Sequence, residues 1–154
     1  MLQIGDTIPD LMAPDHSGHH RYLHKLLGTA GGVIYFYPRD NTPGCTLEAQ
    51  DFQLHGEKFA ALGYTIVGIS RDSVASHANF CAKFNLSFTL LSDEDGRLCN
   101  SFGVWQEKKN YGKVSMGIVR STFVTNGQGV VTRVYHKVKT DGHAERVLLD
   151  LQQT

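Results

Sequence analysis

Cysteine is the residue type here whose chemistry depends most on placement: the thiolate is a nucleophile and metal ligand, the thiol a small apolar filler. The sequence has three, Cys45, Cys81 and Cys99. Cys45 stands in the run Tyr37-Pro38-Arg39-Asp40-Asn41-Thr42-Pro43-Gly44-Cys45-Thr46. Thr42 suits a helix N-cap and Pro43 the first helical position, which makes Cys45 the third residue of a helix. A sulfur there lies near backbone N–H groups without intrahelical partners and near the positive end of the helix dipole. Such placement favours thiolate over thiol and can bring a cysteine pKa to roughly 3.5–7.5. Glu48, one turn on, suits a helix start but mildly opposes a thiolate. Taken alone, Cys45 reads equally well as a small core residue beginning a helix.

The other two cysteines narrow the chemistry. Three widely spaced cysteines make neither a secreted disulfide framework nor a zinc site with paired ligands. A dithiol oxidoreductase of the Cys-x-x-Cys type is disfavoured, because its first position is Thr42. Cys81 lies in SHANFCAKF on an apolar stripe with Val74 and Phe84. Cys99 lies beside Leu98 and Phe102 and reads as core filler. His16, His19, His20 and His24 cluster in a turn-rich segment, but their spacing matches no ligand pattern and reads as a solvated loop.

The elements that position Cys45 follow from periodicity. GGVIYFYP is a continuous apolar run ended by Pro38, as in a strand buried on both faces. Residues 43 to 62 read as one helix, with Cys45, Ala49, Phe52, Gly56 and Phe59 on a single stripe. A second buried strand spans 65 to 70 (TIVGIS). Residues 74 to 85 read as a helix, 90 to 92 as a short strand, and DEDG (93 to 96) begins a short helix through Phe102, with Asp93, Glu94 and Asp95 complementing its dipole. Tyr111, Gly112 and Lys113 look like a turn in a surface excursion, with Trp105 packed nearby. Residues 117 to 125 and 130 to 136 alternate as strands joined by NGQG. On that strand face Arg120 neighbours Ile118, Thr122 and Val124, so it needs either a partner or an exposed edge. Residues 143 to 152 close the chain as a helix. Helices between parallel strands plus a late hairpin predict a three-layer α/β domain spanning 1 to 154, with its site at the carboxyl ends of strands, after Tyr37.

Composition bounds the partners. Lys plus Arg and Asp plus Glu are 15 each, so there is no basic excess of the kind nucleic-acid binders carry. The N-terminus MLQIGDTIPD does not read as a signal peptide, and no apolar run approaches a membrane span. These features point to a cytoplasmic protein without nucleic-acid or membrane partners.

The spacing Pro38-x-x-x-Thr42-x-x-Cys45 at a strand-to-helix junction resembles the active-site signature of peroxiredoxins. TPGCT-x-E-A is similar to the bacterioferritin comigratory protein, or peroxiredoxin Q, branch. GDTIPD, the FYP strand end, GIS-x-DS at 68 to 73 and RSTF at 120 to 123 extend the resemblance along nearly the whole chain. It implies a thioredoxin-like fold, α/β/α around a mixed sheet, and a thiol peroxidase needing no metal or other cofactor. Cys45 would be the peroxidatic cysteine. Thr42 would hydrogen-bond the sulfur and the hydroperoxide, Pro38 would shield the thiolate from water, and Arg120 would stabilise it and orient the peroxide. One form of the branch carries its resolving cysteine five residues on, where this sequence has Gln50. Another carries it in the following helix, where Cys81 fits. The resemblance then implies an internal Cys45–Cys81 disulfide, thioredoxin or a similar dithiol protein as reductant, and a monomer. A one-cysteine peroxidase recycled by an external thiol, or a thioredoxin-fold redox or chaperone module, are the alternatives.

Overall fold

The computed structural model describes residues 1–153. Its centre is the apolar run, strand β3 (Gly31–Phe36), every residue of which is buried. Alternate side chains leave a strand on opposite faces. Val33 and Tyr35, with Tyr37 just beyond the strand, enter one core, while Ile34 and Phe36 enter a second core across the sheet.

The remaining strands, in chain order, are β1 (Met12–Pro14), β2 (His20–Tyr22), β4 (Tyr64–Ser70), β5 (Thr89–Ser92), β6 (Trp105–Asn110), β7 (Lys113–Ile118), β8 (Ser121–Asn126) and β9 (Val131–His136). The central sheet has the order β5-β4-β3-β8-β9. β3 pairs parallel with β4 and antiparallel with β8, so the sheet is mixed. The helices are α1 (Pro43–Leu54), α2 (Gly56–Ala61), α3 (Val74–Phe84), α4 (Arg97–Phe102) and α5 (His143–Gln152). α1, α2, α3 and α5 cover the first core, and α4 with the 3-10 turn Leu23–Leu26 covers the second. This is the expected three-layer α/β/α arrangement. No helix among the described residues is long and apolar enough to cross a membrane.

Four elements differ from the sequence reading. The helix expected over 43 to 62 is two, broken at His55, although the stripe Cys45, Ala49, Phe52 and Phe59 stays buried through the break. The strand expected over 117 to 125 is also two. β7 belongs to a two-stranded ribbon with β6, β8 to the central sheet, and Arg120 lies in the join between them. Flanking the turn-rich histidine segment, expected to be a solvated loop, β1 and β2 pair over three residues each. α4 starts at Arg97 rather than at the acidic run. The buried Asp93 carboxylate caps it from outside, accepting from the Leu98 and Cys99 N–H groups at 3.0 and 2.8 Å. The excursion at Tyr111 is the turn of the β6–β7 ribbon, where Tyr111 and Gly112 both take positive φ, as a two-residue hairpin requires.

Candidate active site

The backbone leaves β3 at Tyr37 and crosses an exposed corner, Pro38 and Arg39, before α1 begins. Asn41 takes the left-handed conformation, φ 59°, which turns the chain back over the strand end. Thr42 is the N-cap by backbone geometry and Pro43 the first helical residue. The first helical bond runs from Thr46 N–H to the Thr42 carbonyl at 2.9 Å. The Gly44 and Cys45 N–H groups therefore precede the ladder, as the start of a helix dictates. Cys45 is buried, 2% exposed, with its sulfur at this positive end.

Arg120 supplies the second positive group. One guanidinium nitrogen donates to Cys45 Sγ at 3.2 Å and the other to Glu48 Oε1 at 2.6 Å. The break between β7 and β8 makes this possible: in a continuous strand Arg120 would alternate with its neighbours, whereas here it turns toward α1. Glu48 is fully buried. Burial pushes its carboxyl up to about 7, with the Arg120 charge and hydrogen bond opposing. Among the described residues its second oxygen, Oε2, is buried without a hydrogen-bond partner, and so is the Tyr35 hydroxyl. Glu48 is thus the buried hydrogen-bond partner of Arg120 inside the site, a role the sequence reading missed when it took Glu48 as a helix-start residue.

The other expected residues fall as follows. The Thr42 hydroxyl donates to the Arg39 carbonyl at 2.9 Å, so in this structure its proton goes there rather than to Cys45. Pro38 is exposed and lines a cleft of about 400 Å³ with Arg71, Trp105, Lys108, Met116 and Ile118. Arg71 stacks on Trp105, 4.5 Å above its ring. Lys108 is held below its usual range by burial and then by the Arg120 charge. Cys81, 8% exposed, lies in the same core as Cys45, whereas Cys99, fully buried, lies in the core across the sheet. Burial raises both thiols, Cys81 to about 11. All three cysteines are free. Among the described residues the four N-terminal histidines form no ligand cluster; the one group near enough to ligate an ion is Asp40, Asp72 and His77. His77, on the inward face of α3, was also passed over in the sequence. A buried histidine on an apolar stripe is itself a signal that a partner faces it.

A helix-start cysteine held by an arginine, on a sheet of this topology, defines the class of thioredoxin-fold thiol peroxidases. Comparison with known proteins narrows the class. The AhpC/TSA family model matches residues 4–134. Peroxiredoxin Bcp of Xanthomonas campestris pv. campestris is 52% identical over 120 residues, 78% of this chain and 75% of its own. Peroxiredoxin Bcp of Bacillus subtilis is 43% identical over 153 residues, 98% and 96% of the two chains. The solved bacterioferritin comigratory protein of X. campestris, studied for alkyl peroxide reduction, is similar with TM-score 0.90 at 42% identity over 98% of each chain. The chain belongs to the AhpC/TSA family, in its peroxiredoxin Bcp or Q branch.

Proposed function

We propose that this thiol peroxidase attacks hydroperoxides with the Cys45 thiolate and closes the product with Cys81. The observation that carries the first step is the 3.2 Å contact from Arg120 to Cys45 Sγ at the start of α1. The thiolate takes the terminal peroxide oxygen and the O–O bond breaks. The Cys45 sulfenic acid forms, and the leaving alkoxide or hydroxide picks up a proton to become alcohol or water. The Arg120 charge, facing the sulfur, stabilises the anion before attack and the charge moving across the oxygens. Thr42 and Pro38 form the mouth of the site, Thr42 to position the peroxide and Pro38 to limit water. Alkyl peroxide reduction by the X. campestris protein supports organic hydroperoxides as substrates alongside hydrogen peroxide.

The second step joins two thiols of one layer. The Cys81 sulfur attacks the sulfenic sulfur, the disulfide forms, and the hydroxyl leaves as water with the Cys81 proton. Sharing a core with Cys45 supports Cys81 for this role; the sheet stands between Cys45 and Cys99. Both partners are buried, and a disulfide needs α-carbons within about 7 Å, so the step requires local opening of α1 and α3. Thioredoxin or a similar dithiol protein then reduces the bridge. We take the enzyme to act as a cytoplasmic monomer over one domain. Peroxide-dependent NADPH oxidation with thioredoxin and thioredoxin reductase tests the whole cycle, and stoichiometric peroxide followed by peptide mapping tests the bridge. Activity retained in Cys45→Ser would end the reading.

A further inference from the structure

His77 sits one helical turn before Cys81, at i, i+4 on the same face of α3, and its side chain is fully buried. Its ring has two polar contacts under 3 Å. Nδ1 is 2.7 Å from Asp40 Oδ2 and Nε2 is 2.9 Å from the Leu91 carbonyl. A carbonyl can only accept. Asp40 also accepts from the Tyr37 hydroxyl at 2.5 Å and from the Ser76 hydroxyl at 2.8 Å. Burial would raise its carboxyl, but the bond and charge of His77, with Tyr37 and Ser76, outweigh that and hold it below the usual range. An ionised Asp40 has no proton to give. Nε2 faces a carbonyl and so donates to it, and Nδ1 shares a short hydrogen bond with Asp40, which ties His77 on both sides in a buried polar pair. Asp40, Asp72 and His77 are close enough to ligate a metal ion, but both ring nitrogens of His77 are already engaged, by Asp40 and by the Leu91 carbonyl.

The pair joins the two segments that the resolving step must separate. Asp40 is in the loop that leads into α1, five residues before Cys45, and its backbone N–H is fixed to Asp72 Oδ2 at 2.9 Å. His77 anchors the first half of α3. Beyond Cys81, Lys83 reaches the same loop at Asn41 Oδ1, 3.2 Å away, through an exposed contact of small worth. Between these ties runs an open groove of about 290 Å³ lined by Asn41, Ser76, Asn79 and Phe80. Beside this groove, polar contacts from Ser76, His77 and Lys83 tie α3 to the loop.

We propose that the buried Asp40–His77 pair is a latch that sets how readily α3 opens to bring Cys81 to the Cys45 sulfenic acid. The inference rests on Cys81 as the resolving thiol. Removing one partner of a buried hydrogen-bonded pair leaves the other unsatisfied, so the folded form of this joint loses most when the latch is cut. Opening also returns Cys81 to water, which removes the burial that raises its thiol. A firm latch slows bridging and gives a second peroxide time to overoxidise the sulfenic acid. A loose one does the reverse.

The test compares wild type with His77→Asn, and with Ser76→Ala as a milder variant that keeps the ring. In the reduced proteins, amide exchange over residues 74–84 should quicken by about tenfold or more in His77→Asn and by roughly twofold to fivefold in Ser76→Ala. Exchange over 143–152 should change far less. After one equivalent of peroxide, bridge formation followed by quenched mass spectrometry should accelerate by similar factors. The peroxide dose that yields half sulfinic acid should rise, while the rate of Cys45 attack stays within about twofold. Unchanged α3 exchange, or equal loosening of α3 and α5, would sink the latch. Faster α3 exchange with no Cys45–Cys81 bridge in any variant would uphold the latch and remove Cys81 from the proposed function. Faster exchange with unchanged bridging would show that the latch does not govern the chemistry.

Discussion

Cys81 and Cys99 form a matched pair. Each is a buried thiol in a helix that follows a strand of the central sheet, and burial raises both. They differ in what surrounds the helix. α3 lies over the core that holds Cys45, and the buried Asp40–His77 pair ties its first turns to the active-site loop. α4 lies over the opposite core, its first turn capped by Asp93 and the Cys99 side chain packed with Leu98, Phe102 and Val104. Accessibility does not distinguish the two thiols, whereas the side of the sheet does: Cys81 shares a core with Cys45 and Cys99 does not.

The largest effect should come from removing the shared partner. Cys45→Ser is expected to abolish peroxide consumption and to leave Cys81 and Cys99 as two inert buried thiols; oxidation of either at the wild-type rate would break the comparison. Cys81→Ser should come next. It should still perform one rapid turnover but accumulate sulfenic acid, losing thioredoxin-supported cycling, and a wild-type steady state in this variant would move the resolving role elsewhere. Arg120→Ala should slow the peroxide step roughly tenfold to a hundredfold, the size of one charge-assisted hydrogen bond of about 1.5–3 kcal/mol. Stopped-flow peroxide consumption reads this, and an unchanged rate would take Arg120 out of the site.

Glu48→Gln sharpens the electrostatic side. Burial keeps Glu48 protonated up to about pH 7, whereas its ordinary value is 4.5. Between those values the folded state binds the proton more tightly than the unfolded chain. Wild-type stability therefore falls as pH rises through this window, and the loss is complete above it. The glutamine variant should be more stable than wild type by about 3 kcal/mol near pH 8 and equal to it near pH 4, by urea denaturation. An equal gain at both values would rule out carboxylate burial as the source. The smallest effect belongs to Cys99→Ala, which should cycle at the wild-type rate and bridge normally. Failure of that variant to form the Cys45 bridge while still folded would erase the distinction between the two layers.

The core and the helix-start placement of Cys45 were legible in the sequence because both are local. A fully apolar run marks β3, and a Thr-Pro pair marks the helix that begins two residues before Cys45. The last helix, 143 to 152, matched residue for residue, since one stripe and a preceding glycine define it. Three kinds of feature were hidden. The join at Arg120 separates strands of two sheets, and alternation runs through it without a break. His55 interrupts a helix whose apolar stripe continues, so periodicity alone reads one element. The Asp40–His77 pair and the Glu48–Arg120 pair each depend on segments far apart in sequence, 37 and 72 residues. A polar side chain gives no local sign of which distant partner will justify its burial.

The arginine stacked on Trp105 has a practical consequence. This is the sole tryptophan of the chain, and it lines the cleft at Pro38, the corner through which the backbone reaches Cys45. An indole under a guanidinium, at the rim of the corner that the proposed bridging step would have to open, is a built-in optical reporter. Its emission should shift as the corner moves, so the native protein can be followed through its cycle by intrinsic fluorescence without any attached dye.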